Sequence, residues 1–419
     1  MSETAGRDSI GKWRMLVIFW LISFCNYADR AILSSVIPKL KVEFHADDFR
    51  LGLVSGGFLW AYACSAIASG YLADRYSRAS MVRWGLLIWS SLFVLVSFTK
   101  SLPVFGCLLA LAGVAEASYY PAGLALISGY YSTTRTKALS IHQTAVFVGV
   151  AVGGYVAARV AEIYSWRSAY LYFGFAGLFL AIGIWLVLSE ANGAPQRVRS
   201  VSVHEREENS VATWQLLQAP GYIPLAVLYV GANIVTYALF TWLPTFLHDA
   251  RSLSVSDASR YGLGSFNLAT LLTVVLGGIV GDRIVRGAGV DARRVFLAIS
   301  LALFGGSVSL INLCPNLTCT VAVLLSAGTF KGIFDANIYA AVHDVVLPRD
   351  RAKGVGLLTA LGFTGAAASS VMVGATGRGI GLGMALSITG LICCVGACVL
   401  VLALRRNQIE NPSNSGSFT

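Results

Sequence analysis

Charged side chains are scarce in this sequence. Only 12% of its 419 residues are Asp, Glu, Lys or Arg, against 56% hydrophobic, and a soluble domain carries about twice that share of charge. This balance excludes a water-soluble globular protein. The short patterns that mark phosphate-binding or hydrolytic sites are missing too: there is no GxxxxGK[ST], no HExxH and no GxSxG. The hydrophilic segments are also too short for a catalytic domain, so neither enzymatic chemistry nor a cofactor is expected. The eight cysteines lack metal-site spacing. Cys25, Cys64, Cys107, Cys393, Cys394 and Cys398 lie in apolar runs, where the expected role is that of a small buried hydrophobe. Cys314 and Cys319 flank a short predicted outer loop and could pair in an oxidising space. The net charge of +10 forms no basic, aromatic-studded patch, which argues against a nucleic-acid partner.

What the chain does have is long apolar runs, with a mean hydropathy of +0.69. The first extends from Met15 to about Pro38 and the next from Leu51 to Ala73. Four more follow, near Val82–Phe98, Pro103–Tyr130, Ala138–Ala161 and Ala169–Leu188. After a hydrophilic stretch come six others, near Tyr222–Leu247, Tyr261–Val280, Val295–Cys314, Val321–Val346, Gly354–Ala375 and Leu382–Leu404. Each approaches the roughly 20 residues needed to cross a bilayer core. The expected fold is an all-α polytopic membrane protein, with twelve transmembrane helices in two pseudo-symmetric six-helix halves. The expected divisions are an N-terminal half over 1–189, a cytoplasmic linker over 190–220, a C-terminal half over 221–404 and a tail over 405–419. Lys12, Arg14, Arg75, Arg78, Arg135, Lys137, Arg283, Arg286, Arg293, Arg294, Arg349, Arg351, Lys353, Arg405 and Arg406 all fall on one side of these spans. Basic loops stay in the cytoplasm. The expectation is therefore a multi-pass protein of the cell (inner) membrane with both termini cytoplasmic.

The halves share a motif. GYLADRYSR at residues 70–78 returns as GIVGDRIVR at residues 278–286, so Gly70, Asp74, Arg75 and Arg78 correspond to Gly278, Asp282, Arg283 and Arg286. Both copies end an apolar run with charge, at its cytoplasmic mouth, where Asp and Arg can lock a gate. A weaker pair, TRTKALS after the fourth span and DRAKGVG after the tenth, supports the duplication.

A few charges lie inside the spans, where each costs roughly 2.5–3.5 kcal/mol unless it faces a wet cavity or a partner. At 1.5 Å per residue Asp29, Arg30, Glu116 and Lys331 converge about 18–23 Å along their helices. Asp335 sits one turn from Lys331, and the two could simply neutralise each other; Asp29 could likewise pair with a basic neighbour. Arg30 and Lys331, from opposite halves, are harder to explain. If they face a shared cavity they form an anion site, a planar fork plus a compact charge. Asp29, Glu116 and Asp335 are the proton-coupling candidates. Tyr27, Asn233, Tyr237 and Asn337 are further substrate-binding candidates and Tyr339 another hydrogen-bonding group, although such residues serve equally well as interhelical glue. His142 reads as a satisfied polar residue rather than a proton carrier.

The duplicated GxxxDRxxR, the twelve spans and the central linker resemble the major facilitator superfamily over essentially the whole chain. NYADR at residues 26–30 is similar to the NYxDR of both the anion:cation symporters and the spinster-like carriers. GVAEASYYPA at residues 113–122 lies between them: EASY resembles the spinster-like group, and Pro121 the organic-anion symporters. The resemblance implies proton coupling at Asp29 and Glu116, with substrate or charge coupling at Arg30. Where relatives often carry an Arg seven residues before the Glu, this chain has Leu109, and Lys331 is a candidate for the missing charge. The helix 5 glycines Gly149, Gly153 and Gly154 come without the proline of an exporter-type motif, which favours uptake over drug antiport. The resulting expectation is a monomeric carrier in the lipid bilayer, taking up a small organic anion (sugar acid, carboxylate or sulfonate) with protons by alternating access. Alternatives are a spinster-like lysolipid or amphiphile carrier and a nutrient sensor that does not transport.

Overall fold

The computed structural model describes residues 2–131, 134–190, 213–347 and 350–410, which are overwhelmingly helical with no β-strand among them. Six helices precede the middle of the chain: α1 (Ser2–Glu43), α2 (Asp48–Arg75), α3 (Arg78–Val96), α4 (Leu102–Tyr130), α5 (Arg135–Val148, Gly149–Gly153 and Gly154–Ile163) and α6 (Trp166–Glu190). Six follow: α7 (Tyr222–Arg251), α8 (Val255–Ala288), α9 (Val290–Ser309), α10 (Leu317–Val345), α11 (Arg351–Ile380) and α12 (Leu382–Glu410). Eleven of these are long and apolar enough among the described residues to cross a membrane. The remaining one, α2, has 28 residues, enough to span. Most of the expected linker, residues 191–212, lies outside the described residues, as do the last nine residues of the tail.

Polar caps and glycines set the helix ends. Asn316 Oδ1 accepts the Cys319 amide (2.9 Å) to start α10, and Ser254 Oγ accepts the Asp257 amide (3.1 Å) to start α8. Gly289 and Gly381, at φ 81° and 83°, each form a one-residue joint between successive helices. Only glycine takes that left-handed conformation without strain. Proline 38 lies within α1 rather than at its end.

Three helices are interrupted. The fourth expected span is not continuous: a turn at Ala117–Ser118 separates Leu102–Glu116 from Tyr119–Tyr130. There Ser118 turns its hydroxyl back to the Ala115 carbonyl (2.7 Å), a local bond that competes with the helix ladder. π-helical turns occupy Gly149–Gly153 in α5 and Arg260–Gly264 in α8. Such turns gather at functional sites.

The chain forms two compact units. The first comprises Met1–Ala46, Gly57–Glu205 and Ser254–Arg260; the second comprises Asp47–Gly56, Arg206–Leu253 and Tyr261–Thr419. In the first, Trp89, Phe93, Phe105, Tyr119, Trp166 and Tyr170 interlock as stacked and edge-on rings. It also holds the start of α8, whose Ser259 meets Ser35 (2.9 Å) and whose Ser256 gives its amide and hydroxyl to Glu162 (2.8 and 2.6 Å). In the second unit the start of α2 packs through small residues: Ser55 meets Thr241 (3.1 Å), Thr241 meets Ser370 (3.0 Å), and a Cβ on Gly52 would strike the Ser370 carbonyl. These hydroxyl pairs and close approaches explain why the units depart from a single cut at the linker.

The outer faces carry exposed Phe179, Val275, Ile392 and Leu402, as lipid-facing helices require. Cys64, Cys107 and Cys398 are exposed as well, correcting the expectation that the apolar-run cysteines are buried. On a surface solvated by lipid, an apolar run says nothing about which face is inside. Cys25 alone of the six is buried.

Candidate functional site

The buried charges of the first unit, Asp29, Arg30 and Glu116, gather around α1. Arg30 Nε donates to Glu116 Oε2 at 2.9 Å, with the two side chains only 3% and 0% exposed. Glu116 ends the first segment of α4, at the turn described above. Aromatic rings enclose the guanidinium: its carbon lies 4.2 Å from the Tyr62 ring centre, 4.9 Å from Tyr27 and 5.7 Å from Phe58. Cation–π contacts of this kind reach about 2 kcal/mol when desolvated. Asp29 is buried, and its Oδ1 has no hydrogen-bond partner among the described residues. Asn26 lies beside Glu116, and the Trp89 indole beside Asp29.

Close helix packing makes this arrangement possible. A Cβ on Gly149 would sit 2.6 Å from the Phe24 carbonyl, and one on Gly153 only 2.2 Å from Ala28 Cβ. The π-helical turn of α5 thus lies directly against the stretch of α1 that carries Tyr27, Asp29 and Arg30. The cluster contains two carboxylates and one guanidinium in a nearly water-free setting. With all three ionised it carries a net charge of −1, and one added proton brings it to neutrality.

A second buried polar contact lies nearby. Tyr119 Oη donates to the Phe19 carbonyl (2.8 Å), so it must accept from His142 Nε2 (2.9 Å). That assignment places the neutral imidazole proton on Nε2 and leaves Nδ1 without a partner among the described residues.

In the second unit two helices present polar residues at four-residue spacing. On α7 these are Tyr229, Asn233 and Tyr237; on α10 they are Lys331, Asp335 and Tyr339. The Tyr229 and Tyr339 hydroxyls are 2.9 Å apart, and Lys331 forms an ion pair with Asp335 along α10. Asn233 donates to the Tyr229 carbonyl (2.8 Å), and the Tyr237 ring packs against Phe240 and Phe363. Gly362 of α11 leaves room for this face, since a Cβ there would come within 2.3 Å of the Tyr229 ring. Tyr27, Asn233, Tyr237, Lys331 and Asp335 are all partly exposed. Asn337 differs. It is buried and gives its amide protons to the Gly277 (2.8 Å) and Ile333 (2.9 Å) carbonyls, with Gly281 opposite its oxygen. This is the glue alternative, α10 bonded to α8.

Of the gating candidates, the side chains of Asp74 and Arg75 lie outside the described residues, although the backbone of both, with that of Gly70, forms the end of α2. Arg78 begins α3. The Asp282 carboxylate accepts from Arg293 of α9 (3.0 Å), and Arg293 also reaches Asp344 of α10 (3.5 Å). Arg286 bonds the Asp282 carbonyl (3.2 Å), and Arg283 is exposed.

The structure therefore brings Arg30 and Glu116 into contact with Asp29 next to them, and it pairs Lys331 with Asp335. Sequence reasoning missed Phe58, Tyr62, Trp89 and the Tyr119–His142 pair. These sit on other helices with no spacing that links them to NYADR. The one available signal was the run of aromatics in and around SYYPA.

Comparison with known proteins accords with this architecture. The family description "Major Facilitator Superfamily" matches residues 19–288 and, in a second overlapping match, 258–418. A probable galactarate/D-glucarate transporter of Bacillus subtilis (strain 168) is 24% identical, over 97% of this chain and 94% of its own length. A 4-hydroxybenzoate transporter of Pseudomonas aeruginosa is 25% identical, over 91% of this chain and 89% of its own. Among solved structures, a bacterial homologue of the human lysosomal transporter spinster superposes with a TM-score of 0.79 at 19% identity, covering 94% of this chain and 97% of that one. With twelve helices in this fold and transporters as its relatives, the chain is a multi-pass membrane transporter rather than an enzyme, and it belongs to the Major Facilitator Superfamily.

Proposed function

We propose that this transporter takes up a small organic anion together with protons by alternating access. The observation that carries the reading is the buried Arg30–Glu116 pair with Asp29 beside it. A substrate carboxylate and the Glu116 carboxylate compete for the same guanidinium. A proton on Glu116 weakens its hold on Arg30 and frees the fork for the incoming anion, so proton and anion enter together. Asp29 is the second proton-coupling carboxylate. Lys331, Asn233 and Tyr237 are proposed as substrate contacts of the second unit, with Tyr27 in the first. Asp335 competes for Lys331 as Glu116 does for Arg30, and is proposed as the proton-coupling group of that unit. Asn337 is left out, because its amide holds α10 to α8.

The named cargoes of the two curated relatives, a sugar diacid and an aromatic acid, are both organic anions and support this substrate class. Basic residues gathered on one side of the spans support a cytoplasmic location for both termini, in the inner membrane. We propose Asp74, Arg75, Arg78, Asp282, Arg283 and Arg286 as cytoplasmic gate residues, with Gly70 permitting close approach.

The test is uptake into proteoliposomes of sugar acids, dicarboxylates, sulfonates and lysophospholipids, with and without an inward proton gradient. Gradient-driven accumulation of a small anion is expected. Asp29→Asn should bind that anion and fail to concentrate it, and Arg30→Ala should not bind it. Lysolipid flux with no anion uptake would overturn the proposal in favour of an amphiphile carrier.

A further inference from the structure

We infer that Cys314 and Cys319 form an intramolecular disulfide in the native carrier, stapling the end of α9 to the first turn of α10. The Sγ atoms lie 3.0 Å apart, only about 1 Å beyond the covalent S–S length of roughly 2.05 Å. Their loop is already held on several sides. Asn316 caps α10 through the Cys319 amide (2.9 Å) and accepts Thr320 Oγ1 at its carbonyl (3.0 Å). Arg251, at the end of α7, bonds the Cys314 carbonyl and reaches Thr320 Oγ1 (3.5 Å). Ser387 of α12 accepts the Asn312 amide (3.1 Å). Bonds from α7 and α12 thus position the two sulfurs before any covalent link exists, so closure needs little movement.

The two thiols are suited to different steps. Cys319 is partly exposed at the start of α10, where a donor disulfide can reach its sulfur. Cys314 is buried, and burial pushes its thiol up to about 11, with Cys319 adding to the effect. Cys319 is therefore the attacking group. Its thiolate displaces one sulfur of a donor disulfide, giving a mixed disulfide and one donor thiolate. The Cys314 sulfur, on losing its proton, then attacks Cys319 and expels the second donor thiolate. Overall, two cysteine thiols are oxidised, one donor disulfide is reduced to two thiols, and the two protons pass to the donor. The donor class is a protein or small-molecule disulfide in the oxidising space opposite the basic loops. Access to that space rests on the proposed orientation, though not on the proposed substrate.

The sequence supplies a direct assay. No Lys or Arg lies between Arg294 and Lys331, so trypsin releases both cysteines in one peptide, Val295–Lys331, which contains no other cysteine. Membranes prepared without reductant are denatured in N-ethylmaleimide, digested and weighed. In the wild type this peptide should carry no maleimide, and two after reduction; in Cys314→Ser and Cys319→Ser it should carry one without reduction. Two maleimides on the unreduced wild-type peptide, persisting after incubation with glutathione disulfide, would overturn the inference. So would a blocked cysteine in both serine variants, which would mean pairing elsewhere. Because the readout is covalent mass, poor folding of a variant leaves the wild-type result intact. A membrane-impermeant maleimide, applied to intact cells after an impermeant reductant, tests orientation separately. Labelling only after permeabilisation would leave the staple standing and overturn the proposed topology.

Discussion

Glutamate 116 and Arg30 make a quantitative prediction. With side chains 0% and 3% exposed and a bond of 2.9 Å, each is the other's principal compensation for leaving water. Removing one partner of such a pair costs about 3–5 kcal/mol, because the remaining charge is stranded. Arg30→Ala should therefore destabilise by about that amount, plus up to about 2 kcal/mol for the lost contacts with Tyr62 and Tyr27. Glu116→Gln keeps an oxygen in place to accept from the Arg30 guanidinium, and Asp29 remains beside it as a counter-charge, so the loss is smaller, about 1–1.5 kcal/mol. In the double variant no carboxylate remains at position 116 to be stranded. It should be more stable than the sum of the single effects predicts, by about 2 kcal/mol, and neighbours in one network do couple by 0.5–3 kcal/mol. Reversible unfolding in mixed detergent–SDS micelles measures all three variants against wild type. Additivity within about 0.5 kcal/mol would refute the view that the two side chains neutralise each other in the folded carrier. The same Gln variant tests coupling, since it resembles protonated Glu116: it should exchange substrate across the membrane while losing the response to a proton gradient.

Three further predictions rest on packing and on a surface contact. Gly153→Ala places a methyl 2.2 Å from Ala28 Cβ and should cost about 1–3 kcal/mol in unfolding free energy, whereas Gly183→Ala, with nothing within 4 Å, should stay within about 0.5 kcal/mol; equal effects would refute the close packing of α5 on α1. Asn337→Ala should lower stability, whereas Asn233→Ala should raise the KM for uptake with little change in stability, and the reverse pattern would exchange their proposed roles. At the surface, the bond from Arg378 and then the Arg50 amide hold the Asp47 carboxyl below its ordinary range. Its folded pKa is depressed, so its contribution is present above the unfolded value of about 3.9 and lost as pH falls through the folded one. Melting of wild type and Asp47→Asn should therefore differ slightly at pH 7 in low salt and converge on acidification; a gap that widens as pH falls would contradict the assignment.

The fold was legible in the sequence because lipid makes the constraint simple: a spanning segment must be long, apolar and helical, and the repeated Gly–Asp–Arg–Arg spacing marks the duplication. The charges of the first unit were also legible, since an ionisable group in an apolar run is costly enough to stand out. Depth arithmetic put Asp29, Arg30, Glu116 and Lys331 near one level without saying which would meet; the structure joins Arg30 to Glu116 and pairs Lys331 with Asp335. Neutral partners carry no such signal. Phe58 and Tyr62 on α2 enclose Arg30, and Trp89 on α3 lies beside Asp29, yet each resembles any other aromatic in an apolar run. Asn337 and Asn233 look equivalent on paper, and only the neighbouring helix separates them: Gly277 and Gly281 bring α8 close enough to occupy Asn337, while Asn233 turns back to the Tyr229 carbonyl of its own helix and stays partly open. The break in α4 was hidden for a related reason, because Ser118 is an ordinary helix residue until its hydroxyl turns back on Ala115. What the sequence conceals is thus which helix approaches which at each glycine. That approach decides what meets at the cluster: the α5 glycines press directly on α1 where it carries Asp29 and Arg30, and with Glu116 against the guanidinium one added proton brings the three groups to neutrality.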